Sequence, residues 1–85
     1  MARIIENDKG FKVIELSRRE ILKIGGYGIC DFCDNTTKQG YYIAVLNQWL
    51  CPECYREFIR TATRYESDKR IEDKNFNRFR KIYGV

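Results

Sequence analysis

The sequence of 85 residues is long enough for one small domain, and its hydrophobic fraction of 44%, aromatic fraction of 14% and charged fraction of 33% are typical of a folded globular chain. No stretch approaches the roughly 20 apolar residues of a membrane-spanning helix, and residues 1–10 lack the apolar core of a secretory signal. We therefore expect a cytoplasmic protein with no membrane partner, in a compartment where cysteine thiols stay reduced.

The formal net charge of +4 is mild and unevenly spread. Residues 56–85 have nine basic and five acidic side chains, whereas residues 1–55 have seven of each kind. This excess is smaller than the dense basic patch that marks an obvious nucleic-acid binder.

Residues 1–26 are predicted to form a strand and a short helix. The stretch 11–16 mixes apolar and β-branched residues and favours an extended strand. Ser17 and Glu20 have the spacing of a capping box, in which each side chain binds a free amide at the start of a helix. Gly25 and Gly26 are expected to end this helix, because glycine adopts the left-handed conformation at little cost.

The middle of the chain predicts a β-hairpin. After a loop over residues 36–40, residues 41–46 have the strongest strand composition of the sequence. Asn47 and Gln48 are predicted to form the turn into a return strand that begins at Trp49. Both faces of the strand at 41–46 are apolar, which predicts burial on both sides; the alternative is an exposed aromatic platform around Tyr42 and Trp49.

The last third predicts two helices. Pro52 suits a first helical position, and apolar residues spaced by three and four predict an amphipathic helix of roughly four turns, to about residue 65. A polar break is expected over residues 67–72. Asp73 would then cap a final helix that ends at Gly84 and packs on the core through the aromatic residues Phe76, Phe79 and Tyr83.

The four cysteines form two CxxC pairs with seventeen residues between them: Cys30, Cys33, Cys51 and Cys54. This pattern is a strong signature of a zinc site, because two cysteines three positions apart can direct both sulfurs to one ion from a tight turn or from the first turn of a helix. The chain has no histidine, so the predicted ligand set is all cysteine.

A closed set of four cysteines leaves no position for water or substrate, so we expect one structural Zn²⁺ ion per chain. Three alternatives use the same residues: a thioredoxin-like redox CxxC, two disulfides in a secreted chain, and iron in a rubredoxin-like site.

These residues resemble the treble-clef group of zinc fingers, with a knuckle at 30–33, a hairpin at 41–50 and a helix that begins at 51–54. The ligand pattern is similar to the amino-terminal zinc-binding domain of the ClpX unfoldase and to small uncharacterised zinc-finger proteins of bacteria and their mobile elements. The resemblance implies an α+β fold with a treble-clef core at 27–66. A strand–helix extension at 1–26 and a linker with a carboxy-terminal helix at 67–85 would complete a single domain, 1–85.

We do not expect an enzyme, because the cysteines are engaged by metal, no histidine can serve as a base and the carboxylates show no convergent pattern. The first hypothesis is a non-catalytic protein–protein interaction module or small regulator. The alternative is a nucleic-acid-binding finger that uses a ridge of three arginines four residues apart on one helix: Arg56, Arg60 and Arg64. The competing interpretation of that ridge is a solvated face with local ion pairs.

Overall fold

The computed structural model describes residues 2–85, and within that range the chain forms a four-stranded antiparallel sheet with helices on both faces. The strands lie in the order β1-β2-β3-β4. None of the helices in the described part of the chain is long and apolar enough to cross a membrane. The elements are β1 (Arg3–Ile5), β2 (Val13–Ser17), α1 (Arg18–Lys23), β3 (Gln39–Ile43), β4 (Gln48–Leu50), α2 (Pro52–Thr61), a short 3₁₀ turn (Glu66–Asp68) and α3 (Lys69–Tyr83).

The pairing of β2 with β3 organises the sheet. It runs over five residue pairs, from Val13 opposite Ile43 to Ser17 opposite Gln39. Val13, Ile14 and Leu16 are completely buried, because β2 is an inner strand covered on both faces. The amino-terminal strand is therefore part of the same sheet as the hairpin that precedes α2. The strand β1, which pairs with β2, was not predicted from the sequence.

The first face of the sheet is covered by α3 and α1. Tyr42 of β3 stacks on Phe79 of α3, with the ring centroids 3.6 Å apart and the planes inclined by 7°. The hydroxyl of Tyr83 donates a hydrogen bond of 2.8 Å to the carbonyl of Glu20, which joins α3 to α1. The prediction that the carboxy-terminal helix packs on the core is confirmed, and the alternative of an exposed platform around Tyr42 and Trp49 is wrong because both side chains are buried.

The second face of the sheet is covered by α2 and by the cysteine region. Phe11, Val13 and Ile43 form a buried cluster there together with Leu50 and two of the cysteines. No residue of α2 is fully buried in the described structure, and the helix contributes partly buried side chains such as Phe58, whose ring lies 4.8 Å from that of Phe11. The helix α2 thus packs on the sheet only through partly buried side chains, whereas α3 buries Phe76 and Phe79.

The predicted boundaries of α1 and of its cap are confirmed. The hydroxyl of Ser17 accepts a hydrogen bond from the amide of Glu20, and the carboxylate of Glu20 accepts one of 2.9 Å from the amide of Ser17. Burial alone would raise the pKa of Glu20, but the hydrogen bonds from Ser17 outweigh it and lower the pKa.

The hairpin lies earlier in the chain than predicted. The strand begins at Gln39, inside the expected loop, because pairing with Ser17 extends it; it ends at Ile43 rather than at Leu46. The turn occupies residues 44–47, and Gln48, which was expected in the turn, pairs with Ile43. Asn47, which was expected in the turn, has a φ of 54°, a conformation that asparagine tolerates.

Both carboxy-terminal helices also differ from the prediction. The helix α2 ends at Thr61, since Ala62 is extended and its carbonyl accepts a hydrogen bond of 2.6 Å from the Lys9 ammonium. The helix α3 begins at Lys69 rather than at Asp73. Its first turn includes Glu72, which belonged to the predicted polar break. The break between the helices therefore lies earlier than predicted, at residues 62–68, and includes the 3₁₀ turn.

The early start of α3 buries a charged side chain. Glu72 is only 2% exposed, and its carboxylate accepts a hydrogen bond of 2.7 Å from the Arg64 guanidinium and one of 3.0 Å from the Lys12 amide. A buried carboxylate needs such partners, because an unpaired charge in the interior is strongly destabilising. The pair links the segment after α2 to α3 and to the start of β2.

Gly40 offers a test of the β2–β3–β4 packing. A Cβ atom at this position would lie 2.3 Å from the buried indole of Trp49, which donates a hydrogen bond of 3.1 Å to the Leu16 carbonyl and cannot move aside without losing it. We expect Gly40→Ala to lower the free energy of unfolding by about 1–3 kcal/mol, as measured by urea denaturation. The neighbouring change Gln39→Ala, with a side chain on the opposite face, is the control. Replacing glycine by alanine at an unstrained position usually raises the stability. An unchanged or raised stability for Gly40→Ala would therefore contradict this packing.

Candidate metal centre

The first cysteine pair lies in a tight turn between α1 and β3. The carbonyl of Cys30 accepts a hydrogen bond of 2.9 Å from the amide of Asp34, and the amide of Cys30 donates one of 2.9 Å to the carbonyl of Asn35. Asp34 has a φ of 63°, which turns the chain back after Cys33. An isolated antiparallel bridge between Ile29 and Thr36 closes the base of this turn. We call residues 29–36 the knuckle. This turn places the sulfur atoms of Cys30 and Cys33 on the same side of the chain.

The second cysteine pair lies at the start of α2. Cys51 is the N-cap residue and Cys54 is the third residue of the helix, so both sulfurs lie on the first turn. Pro52 occupies the first helical position, as predicted, where its missing amide hydrogen costs nothing. The helix N-terminus has a partial positive charge, which opposes the effect of burial on these two thiols.

Asp31, inside the knuckle, joins it to the edge of the sheet. Its carboxylate accepts a hydrogen bond of 2.8 Å from the amide of Trp49, and its own amide donates one of 3.0 Å to the carbonyl of the same residue. These two bonds cover the outer edge of β4 and fix the knuckle beside the strand that leads into α2. The sequence analysis missed this role, because a polar residue between two cysteines gives no sign of the strand that it binds.

The four sulfur atoms lie close together. All lie within 4.8 Å of one another, and the Sγ atoms of Cys33 and Cys51, one from each pair, are 3.8 Å apart. For metal–sulfur distances of about 2.3 Å, the edges of a tetrahedron of sulfurs are about 3.8 Å long. The separation is also far beyond the roughly 2.05 Å of a disulfide bond, and all four cysteines are free. The cluster therefore fits a four-coordinate metal ion.

The cysteines of the cluster differ in their pKa. Burial raises the pKa of Cys30, but hydrogen bonds from the amides of Cys33, Cys51 and Phe32 outweigh this effect and lower the pKa to about 7. Burial and the neighbouring sulfurs raise the pKa of Cys51 and of Cys54. One thiol thus ionises readily while others are held protonated. A bound cation removes this conflict by neutralising the thiolates together.

The three arginines predicted as a ridge do not share one helix. Arg56 and Arg60 are exposed on α2, and the Arg60 guanidinium lies 2.5 Å from the Glu57 carboxylate. Arg64 lies beyond the end of α2 and pairs with the buried Glu72. Their contact with nucleic acid stays a prediction, although two of the three already have a carboxylate partner.

Comparison of the chain with protein-family models, with curated proteins and with solved structures gives no match.

We expect one tightly bound metal ion per chain, measured by elemental mass spectrometry of the purified protein. Apparent binding energies of structural zinc sites, about 10–16 kcal/mol, are comparable to the whole stability of a small domain, about 5–15 kcal/mol. Chelation should therefore abolish the ordered structure around α2, seen as loss of helical circular dichroism. Cys30→Ser and Cys54→Ser should each weaken metal binding, with Ser67→Ala as a control on the exposed surface. A metal-free protein with unchanged stability would contradict the site.

Proposed function

We propose that this chain is a non-catalytic zinc-binding protein in which one Zn²⁺ ion stabilises a treble-clef unit. The observation that carries the proposal is the convergence of the four sulfurs from a knuckle and a helix start. The hairpin of β3 and β4 lies between those two pieces in the chain, as in the treble-clef group that the sequence resembles. Four soft thiolate ligands in tetrahedral reach favour zinc over magnesium or calcium. Iron is the competing metal, and elemental analysis distinguishes the two.

The closed ligand set supports a structural rather than a catalytic ion. A catalytic zinc site usually offers three protein ligands and leaves the fourth position to water or substrate, whereas all four positions here are supplied by cysteine. The ion would stabilise the fold by holding the knuckle, the end of β4 and the first turn of α2 in one arrangement.

We further propose that the protein is an interaction module that binds a partner protein beside the metal centre. A groove of about 300 Å³ lies between the knuckle, β4 and α2, and Cys54 forms part of its wall. Its other apolar walls are Phe32, Leu46, Leu50 and Phe58. Phe32 is 76% exposed and Leu46 is 42% exposed, so apolar surface faces solvent at this place. Exposed aromatic side chains around a groove are typical of protein interfaces.

The charges around the groove indicate the chemistry of the partner. Among the residues that line it, the charged ones are Glu53 and Glu57, and no basic side chain lines it in the described part of the chain. This acidic rim belongs to a chain whose formal net charge is +4. Glu57 forms an ion pair with Arg60, whereas Glu53 forms no ion pair within residues 2–85. The groove is thus complementary to a peptide segment with a bulky apolar anchor flanked by lysine or arginine.

A peptide library selected against the zinc-loaded protein tests this function. We expect the selected peptides to contain a large apolar residue next to basic residues, and Phe32→Ser to weaken their binding by about tenfold or more, as for loss of an aromatic anchor. Tyr27→Ser is a matched control, because Tyr27 is an equally exposed aromatic side chain (83%) outside the groove. Binding is measured by fluorescence anisotropy, with metal content checked for each variant.

Two results would contradict the interaction proposal. One is a set of peptides with acidic flanks, since they would face the glutamates of the rim. The other is equal loss of binding in the Phe32 and Tyr27 variants, which would place the peptide elsewhere. The zinc assignment is tested separately by the metal analysis and survives either result.

A further inference from the structure

Basic side chains meet in a shallow hollow that lies away from both the metal centre and the groove. Its lining contains four cations and a single carboxylate. It shares no lining residue with the groove. We call it the basic hollow; it is lined by Ser17, Arg18, Arg19, Glu20, Leu22, Lys23 and Lys38.

The register of the sheet brings these cations together. Ser17, the last residue of β2, pairs with Gln39, the first residue of β3. The amide of Arg18 then donates a hydrogen bond of 2.8 Å to the carbonyl of Lys38, which places Lys38 beside the first turn of α1. Arg19 and Lys23 are four residues apart on the same helix and therefore lie on one side of it.

The cations of the basic hollow are available for a ligand. Arg19, Lys23 and Lys38 are exposed, and none of them forms an ion pair with a carboxylate of residues 2–85. The Arg18 guanidinium donates to the carbonyl of Gly28 at 3.3 Å. The carboxylate of Glu20 is directed to the Ser17 amide at 2.9 Å by the capping box. The hollow keeps a net positive charge, at the cost of repulsion between its own members.

A second, polar hollow includes the residues that precede Lys38 in the chain. It is lined by Asn35, Thr36, Thr37, Cys51, Pro52, Glu53 and Arg56, so that the charge of its one cation is balanced by one carboxylate. Hydroxyl and amide side chains beside arginine are frequent contacts to the phosphates and sugars of nucleic acids. The excess of positive charge is therefore confined to the basic hollow.

We propose that the basic hollow binds the phosphodiester backbone of nucleic acid, without reading the bases. Flexible lysine and arginine side chains on an open surface suit a string of phosphates, and such contacts need no base specificity. Leu22 is the one large apolar side chain of the lining, which is too little to insert into a lipid bilayer. The proposed site differs from the predicted arginine ridge, of which Arg60 and Arg64 are already paired with carboxylates.

Binding of fluorescein-labelled single-stranded and duplex oligonucleotides to the zinc-loaded protein, followed by anisotropy between about 50 and 200 mM salt, tests the proposal. The logarithm of the association constant falls linearly with the logarithm of the salt concentration, because bound cations displace counterions from the phosphates. Three such cations contribute about −2 to this slope on single strands and about −2.7 on duplex. The triple variant Arg19→Gln/Lys23→Gln/Lys38→Gln should reduce the slope by that amount.

The control removes the same number of charges from three exposed, unpaired cations outside the basic hollow: Lys69→Gln/Arg70→Gln/Lys74→Gln. It should leave the slope close to the parent value. Metal content and circular dichroism confirm that each variant is folded. Three results would overturn the proposal: no binding to either oligonucleotide at the lowest salt, equal losses in both triple variants, or binding to phosphatidylserine vesicles in preference to nucleic acid through the same residues.

Discussion

Four sulfur atoms that converge within 4.8 Å are the constraint on which one half of this structure depends. Buried thiols cannot all ionise at such distances unless a cation lies among them. The helix α2 has no fully buried residue, so its position rests on Cys51, Cys54 and a set of half-buried side chains. The helix α3 differs, because Phe76 and Phe79 are buried in the core on the other face of the sheet. A metal ion at the cysteines would therefore stabilise one side of the sheet, and aromatic packing stabilises the other.

The features that sequence analysis predicted correctly depend on neighbouring residues. The capping box needs only Ser17 and Glu20, the start of α2 needs Pro52, and the end of α3 needs the left-handed Gly84, with a φ of 69°. The cysteine cluster was also predictable, because each CxxC pair is local and the metal supplies the reason for the two pairs to meet. The division of the chain into an extension, a core and a carboxy-terminal segment stays a prediction.

The features that were missed depend on contacts between distant parts of the chain. The periodicity of α2 continues beyond Thr61, yet the helix ends there because the Ala62 carbonyl binds Lys9, far away in sequence. The polar sequence around Glu72 predicted a loop, but Glu72 lies in the first turn of α3, where it is buried and paired with Arg64. A spacing of four between arginines likewise predicted a single ridge, which the end of α2 interrupts. Sequence patterns over a few neighbouring residues do not contain the information on such tertiary contacts.

The basic hollow illustrates the same limit for function. Lys38 is separated from α1 in sequence, and only the pairing of Ser17 with Gln39 places it beside Arg19 and Lys23. Because net charge is a sum over the whole chain, a value of +4 gave no sign of a local concentration of cations.

Zinc at the cysteines would increase the contrast between the acidic groove and the basic hollow. The ion would add two positive charges while the four cysteines lost four protons, which would give the cluster a formal charge of −2. Part of that negative charge would lie on Cys54, in the wall of the groove whose rim already has Glu53 and Glu57. The basic hollow contains no metal ligand and keeps its charge. The loaded protein thus presents an acidic apolar groove and a separate cationic surface. A cationic peptide and a nucleic acid would be drawn to different places on it, so the two proposed partners need not compete for one site.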